Sequence, residues 1–242
     1  MPRFFIDFKP ADTAILTGEN ASHISKSLRM KIGDEITLCD GENFDYFGTI
    51  SDISDDSVCV TIYNKIQSVS EPDVYIHLFQ AMPKGDKFEL IIQKAVELGV
   101  SEITPILTSR CISRPDEKSM KKKLERYNKI ALEASKQSGR GKLVLVNPLL
   151  SFEKALEGAT SYDLPMFLYE VGGCGIKQVL DKAPYKSISM IIGSEGGFSP
   201  SEADMAKRSG CITTYLGKRI LRCETAPLCA ISSVMFHSGN LE

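Results

Sequence analysis

Ile192-Gly-Ser-Glu-Gly-Gly-Phe-Ser-Pro200 is the stretch on which the fold turns. Before it runs Ile188–Ile192, apolar and of strand length; after it, Ser201–Ser209 has helical spacing. A strand that enters a helix through three glycines around one carboxylate, Glu195, belongs to an open α/β sheet. Such sheets bind ligands beyond the carboxyl ends of their strands. Glycine lets the backbone approach a ligand closely and adopt positive φ. Ser199, Pro200 and Glu202 supply the cap, proline and acid of a helix start. Two readings of the loop stand side by side, an ordinary tight turn and a ligand loop. A phosphate loop is disfavoured: there is no G-x-x-x-x-G-K-[ST], no G-x-G-x-x-G follows a strand, and Glu195 would repel a phosphate. A neutral or cationic ligand suits the loop better.

Working outward, strands and helices alternate. Val74–Gln80, Ile103–Leu107, Leu143–Val146, Leu164–Tyr169 and Ile212–Leu216 read as strands. Asp86–Leu98 is an amphipathic helix, with Phe88, Ile91, Ile92, Ala95 and Val96 on one stripe and Gly99 closing it. Asp116–Ser138, Phe152–Glu157, a short stretch near Gly175–Leu180 and Ala226–His237 complete the helices, Thr225 standing as a possible N-cap of the last. The pattern predicts a mostly parallel sheet covered on both faces. Two further loops stand at strand ends: Tyr169–Gly175, and Leu216–Pro227, which places Lys218, Arg219 and Arg222 near Glu224.

Residues 1–70 differ. Arg3–Phe8, Glu35–Cys39, Asn43–Ile53 and Ser57–Ile66 are short β-type runs broken by turn signals, with Asn20–Leu28 the one helical candidate. They predict a small β-barrel domain over 1–70, a linker at 68–73, and a second domain over 74–242. Hydrophobic residues make up 43% and charged residues 25% of the 242, with no apolar run near membrane-spanning length and no signal-peptide core at the N-terminus. A cytoplasmic protein is expected. Seven scattered cysteines without a C-x-x-C spacing suggest reduced thiols and no metal site. Net charge is −2, yet residues 118–142 hold 9 basic and 2 acidic side chains. That segment is either a solvated helix face or a phosphate-attracting patch.

The three loops, with other pieces in order along the chain, resemble the RsmE family of SPOUT methyltransferases. Arg3-Phe-Phe, His23 with Leu28-Arg29 and Gly33-Asp34, Lys84–Gly99, Glu133–Arg140, Ile192–Ser199 and Leu216–Ala226 carry the resemblance over almost the whole length. Ser194 stands where the family usually has proline, which removes a φ restraint. The resemblance implies a PUA-like β-barrel followed by a trefoil-knotted methyltransferase domain, although knots are otherwise rare. It implies a homodimer, with S-adenosylmethionine as cofactor and N3 of a uridine in small-subunit (16S) ribosomal RNA as target.

On that basis the cofactor residues are Leu168, Tyr169, Glu170, Gly193, Glu195, Gly196, Gly197, Leu216, Gly217, Ile220, Leu221, Arg222, Thr225 and Ala226. Arg222 is the candidate that favours the deprotonated base; Glu195 is a weaker candidate proton acceptor, or a structural acid holding loop amides. RNA contacts are expected from Arg140, Lys121, Lys122 and Lys123, then Arg3, Arg29, Lys84 and Lys87. His23, His77 and His237 read as packing residues. Two other readings remain open: a SPOUT enzyme with another RNA target, separated by the identity of the methylated nucleoside, and a non-catalytic RNA-binding dimer, separated by cofactor binding.

Overall fold

A computed structural model describes residues 1–182 and 184–241. They form two compact units, one of residues 1–71 with 135–143, the other of 72–134 with the chain from 144 onward.

In the first unit five strands lie in the order Arg3–Phe5, Glu35–Cys39, Phe44–Ile53, Ser57–Gln67, Thr13–Thr17. The first pair is parallel and the rest antiparallel. The two end strands do not pair, so the expected barrel is a half-barrel. Its inner face is apolar, with Ile24, Ile36, Leu38, Val58 and Val60 fully buried. The helical candidate is present as an α-helical turn, Gly18–Ser22, continued by a π-helical turn, His23–Ser27, after which Arg29 takes φ +52°.

Residues 135–143, expected in the second domain, cluster with the first unit because polar contacts hold them there. Glu71 accepts from Arg140 Nε and Nη2 at 2.9 Å each and from the Gly141 amide at 2.8 Å. Asn43 donates its amide to the Gly141 carbonyl, and Leu143 donates to that of Gly41. The polar 68–73 stretch is thus no passive linker, since Glu71 anchors it.

In the second unit the strands run in the order Cys174–Gly175, Ile212–Tyr215, Leu164–Leu168, Ser187–Ile192, Tyr75–Ala81, Glu102–Leu107, Leu145–Val146, all pairs parallel. Leu150–Ser151 pairs beside Glu102–Leu107. The central strands are mostly apolar and buried on both faces, as a covered parallel sheet requires, with His77, Gln80 and Ser189 as buried polar exceptions. The stripe Phe88, Ile91, Ile92, Ala95, Val96 of helix Lys87–Glu97 is buried, and Phe88 packs on Tyr127 of helix Glu117–Gln137 at 4.8 Å. Chain order and spatial order part at the centre. Leu164–Leu168 is laid down one place away from Tyr75–Ala81, and Ser187–Ile192 later fills the gap. From Ile212–Tyr215 the chain returns through 216–224 to helix Thr225–His237, which packs on helix Lys87–Glu97 and strand Tyr75–Ala81. This reversal creates the crevice in which α/β sheets hold ligands.

Candidate cofactor site

The ends of four strands are level. Leu168 is in register with Ile192 and with Thr214, and Ile192 with Gln80. Beyond them the loops after Leu168, Ile192 and Tyr215 enclose a cavity of about 320 Å³, within the range of small-molecule sites. Leu168, Tyr169, Glu170, Gly193, Glu195, Gly196, Gly197, Leu216, Gly217, Ile220, Leu221 and Ala226 all line it. Arg222 and Thr225 are exposed and do not line it. The Arg222 carbonyl accepts the amides of Thr225 and Ala226 at 2.9 Å each and so starts the last helix. Thr225 is the first residue of that helix rather than its cap: Glu224 holds the N-cap position, without a side-chain cap bond. Ser194, Arg219 and Cys223, from within the same loops, also line the cavity, as do Ile192, Phe198, Thr214 and Tyr215, which lie outside the expected segments.

The glycine loop is shaped from below by aromatic rings. Phe198 is buried against Phe167 (4.4 Å between centroids) and Phe152 (5.7 Å). A Cβ at Gly193 would lie 3.1 Å from Gly197 Cα and 3.2 Å from the Phe198 ring, and Gly197 has φ +61°. The Gly197 amide donates to the Ser194 carbonyl at 2.9 Å, closing the turn. Gln80 Nε2 donates to the Gly193 carbonyl at 3.1 Å. Arg110, in the loop after strand Glu102–Leu107, donates from Nη1 to the Gly196 carbonyl at 3.0 Å. That loop lies at a carboxyl end too, the signal that could have found Arg110. The helix after the loop starts as the sequence suggested. Ser199 Oγ accepts the Glu202 amide, and Glu202 accepts the Ser199 amide at 2.8 Å and the Ser109 amide at 2.6 Å. Burial alone would raise the Glu202 carboxyl; the amides and hydroxyls of Ser109 and Ser199 outweigh it and hold the acid ionised.

Glu195 is committed. Its Oε1 receives Lys87 Nζ at 2.9 Å and the Lys84 amide at 3.2 Å. Burial would raise its carboxyl, but Lys87 and the amides lower it below the usual range. A depressed, ion-paired carboxylate is a poor proton acceptor, so of the two parts considered for Glu195 the geometry favours the structural one. Burial, with Glu224 beside it, pushes the Cys223 thiol up to about 12, so it is no nucleophile at neutral pH.

The anticipated RNA contacts divide. Arg140 is 3% exposed and bound bidentately by Glu71, so it is closed to a phosphate. Arg3 pairs with Asp45 at 2.6 Å and donates to the Arg140 carbonyl, a structural part within the first unit. Lys87 is held by Glu195 and Glu224. The structure thus places all three in internal ion pairs, Arg140 buried and Lys87 partly exposed. Arg29, Lys84, Lys121 and Lys122 are exposed and Lys123 half-buried. Among the described residues no group of three or more His, Cys, Asp or Glu could hold a metal, and the cysteines are unpaired.

Comparison with known proteins agrees with this arrangement. Residues 70–235 match the model of an RNA methyltransferase domain and residues 16–63 that of an RNA methyltransferase PUA domain. The ribosomal RNA small subunit methyltransferase E of Bacillus subtilis is 32% identical, over 98% of this chain and 97% of its own. Its namesake from Neisseria gonorrhoeae, in a crystal structure bound to S-adenosyl methionine, superposes with TM-score 0.85 at 30% identity, covering 98% and 97% of the two chains. A putative methyltransferase from Legionella pneumophila with bound SAM gives TM-score 0.84 at 30% identity, covering 97% and 96%. The two-part architecture, a PUA-type half-barrel and an RNA methyltransferase domain built on a parallel sheet, is therefore the shared one. The chain belongs to the RsmE family, the ribosomal RNA small subunit methyltransferases E.

Proposed function

We propose that this chain transfers the methyl group of S-adenosylmethionine to N3 of a uridine in small-subunit ribosomal RNA. The observation that carries the reading is the cavity at the level carboxyl ends of the strands, walled by the three loops. Its chemistry fits the cofactor. Leu168, Ile192, Leu216 and Leu221 offer apolar walls for a purine, and the peptide groups of 193–197 offer donors and acceptors for its edge. Ser194 lines this wall at 7% exposure, and its buried hydroxyl has no partner among the described residues. The Glu170 carboxylate at the wall suits a cationic ligand.

The bound cofactor would supply an activated methyl on a sulfonium. The protein's tasks are to align the base and to let its N3 proton leave. Arg222 is suited to the second. Its guanidinium is exposed and, among the described residues, without a hydrogen-bond or ion-pair partner. Its segment walls the cavity. A cation near the base's carbonyl oxygens stabilises the imide anion. RNA phosphates would meet Arg29, Lys84 and Lys121–Lys123, and the target base must be unpaired or flipped out. The reading carries a homodimer with it. Ile220, 85% exposed on the cavity loop, and Val171 are large apolar side chains open to such a contact. No helix among the described residues is long and apolar enough to cross a membrane, and a ribosomal substrate places the protein in the cytoplasm.

The test is transfer of tritiated methyl from S-adenosylmethionine to small ribosomal subunits from a strain lacking the modification, followed by digestion to nucleosides. Label in N3-methyluridine is expected. Label in another nucleoside would redirect the target; no label in any RNA, with no cofactor bound, would remove the enzymatic reading.

A further inference from the structure

Lys87 stands at a place that electrostatics disfavours. It is the first residue of helix Lys87–Glu97, where the positive end of the helix dipole repels a cation. The capping position, Asp86, makes no side-chain cap bond that would relieve this. What offsets the repulsion comes from two other segments of the same unit. Nζ lies 2.9 Å from Glu195 of the glycine loop and 3.5 Å from Glu224, which ends the loop from Leu216. It also lies 4.0 Å from Cys223 Sγ, and the Lys84 amide reaches Glu195 as well. Both loops are walls of the cavity, and Glu195 and Cys223 line it. Some 108 and 137 residues separate Lys87 from the two carboxylates. The three side chains are only partly exposed, at 35%, 31% and 19%. One ammonium therefore joins two loops that are far apart in sequence.

We infer that Lys87 is a positioning residue for cofactor binding: it clips the glycine loop to the loop that leads into the last helix, and so preorganises the cavity. The inference rests on the methyltransferase reading. It replaces a phosphate-contacting role for this lysine with an internal one. Rigidifying the walls of a site in the bound arrangement raises affinity by reducing the ordering cost at binding. The lysine is raised and both glutamates are lowered from their ordinary values, with Glu195, Cys223 and Glu224 acting on Lys87, so all three remain charged through the neutral range.

The experiment is calorimetric titration of S-adenosylmethionine into the full-length wild type, Lys87→Met, Lys87→Arg and Glu224→Gln, with steady-state kinetics on small subunits. Lys87→Met is expected to bind the cofactor roughly five- to tenfold more weakly, the scale of a partly exposed ion-pair network. KM for the cofactor rises by a similar factor and kcat at saturation is retained. Lys87→Arg restores most of the affinity, and Glu224→Gln loses about two- to threefold. RNA affinity with cofactor saturating stays unchanged. Unaltered cofactor affinity in both Lys87→Met and Glu224→Gln would overturn the inference. So would weaker RNA binding with a salt dependence reduced by about one ion, the mark of a lost phosphate contact. Should Lys87→Met fail to fold, Glu224→Gln decides by the same comparison. A wild type that binds no cofactor would instead sink the methyltransferase reading, a separate outcome.

Discussion

The sequence reads Arg222 as a cation for the deprotonated base and Arg140 as one for RNA phosphates, and the structure gives the two opposite surroundings. Arg222 is exposed and unpaired among the described residues beside the cavity; Arg140 is buried on Glu71. Substituting Arg222 by Ala is expected to lower kcat by about 10²-fold, as removal of one charge-stabilising donor does. Cofactor affinity should hold within about twofold, since Arg222 lies outside the cavity wall; a calorimetric titration beside single-turnover rates checks both. Substituting Arg140 by Ala should instead cost about 3–5 kcal/mol of stability in the first unit, because Glu71 is left buried without its partner. Urea unfolding followed by tyrosine fluorescence measures this. An unchanged midpoint with weakened RNA binding would return Arg140 to the phosphates. The residue types were legible in the sequence; their partners were not. Arg140 and Glu71 stand 69 residues apart, and spacing carries no information about pairs that meet only through the fold.

At the scale of elements, those with a full period were legible and the shortest were not. The helix stripe of residues 87–97 and strand Glu35–Cys39 lie where the sequence put them. Thr13–Thr17 was missed, since its inward side chains are only Ala14 and Leu16, too few to declare a period of two. The two-residue strands Leu150–Ser151 and Cys174–Gly175 have no period at all. The alternation announces a small barrel-like sheet but not whether its edges meet, since closure depends on edge pairing that alternation does not encode. Gly99 is an element boundary whose need for glycine is both local and tertiary. It has φ +97°, and Val100 donates to the Ala95 carbonyl at 2.9 Å, a Schellman-type ending. An added Cβ would lie 2.8 Å from Met235 Cε and 2.9 Å from Pro72 Cγ. Substituting Gly99 by Ala should destabilise by about 1–3 kcal/mol, read as a lowered thermal midpoint. No change would mean that the chain and Met235 relax without cost.

For the whole molecule, acid is the informative variable. His77 lies in the central sheet, its ring nitrogens 2.7 Å from Tyr162 Oη and from Thr104 Oγ1, with Glu102 3.4 Å away. Burial outweighs the attraction of Glu102 and lowers the imidazole to about 4, so it is neutral in the fold. An unfolded imidazole titrates near 6.5. Between the lowered value and 6.5 the unfolded chain binds more protons, so stability falls as pH drops through this range. Glu71 adds a loss further into acid. Burial would raise it, but Arg140 and the amides of Lys142 and Gly141 lower it, and its contribution goes as pH falls through that lowered value. Thermal midpoints measured from pH 7 to pH 4 should decline, and substituting His77 by Gln should flatten the upper part of the decline. A flat wild-type profile would contradict the buried neutral imidazole. From sequence, the strand–helix alternation, the half-barrel's composition and most of the cavity wall were legible. The location of residues 135–143 was not, since the basic run that holds all but the last of them reads as one helix face and the structure divides it between two units.

The account's central claim is that the loops after Leu168, Ile192 and Tyr215 together hold the cofactor. Ultraviolet cross-linking of methyl-tritiated S-adenosylmethionine to the intact protein, followed by peptide mapping, tests it most directly. The account predicts label in peptides containing 168–170, 193–198 or 216–226, suppressed by excess unlabelled cofactor. Competable label confined to other peptides, or none at all at saturating cofactor, would contradict it.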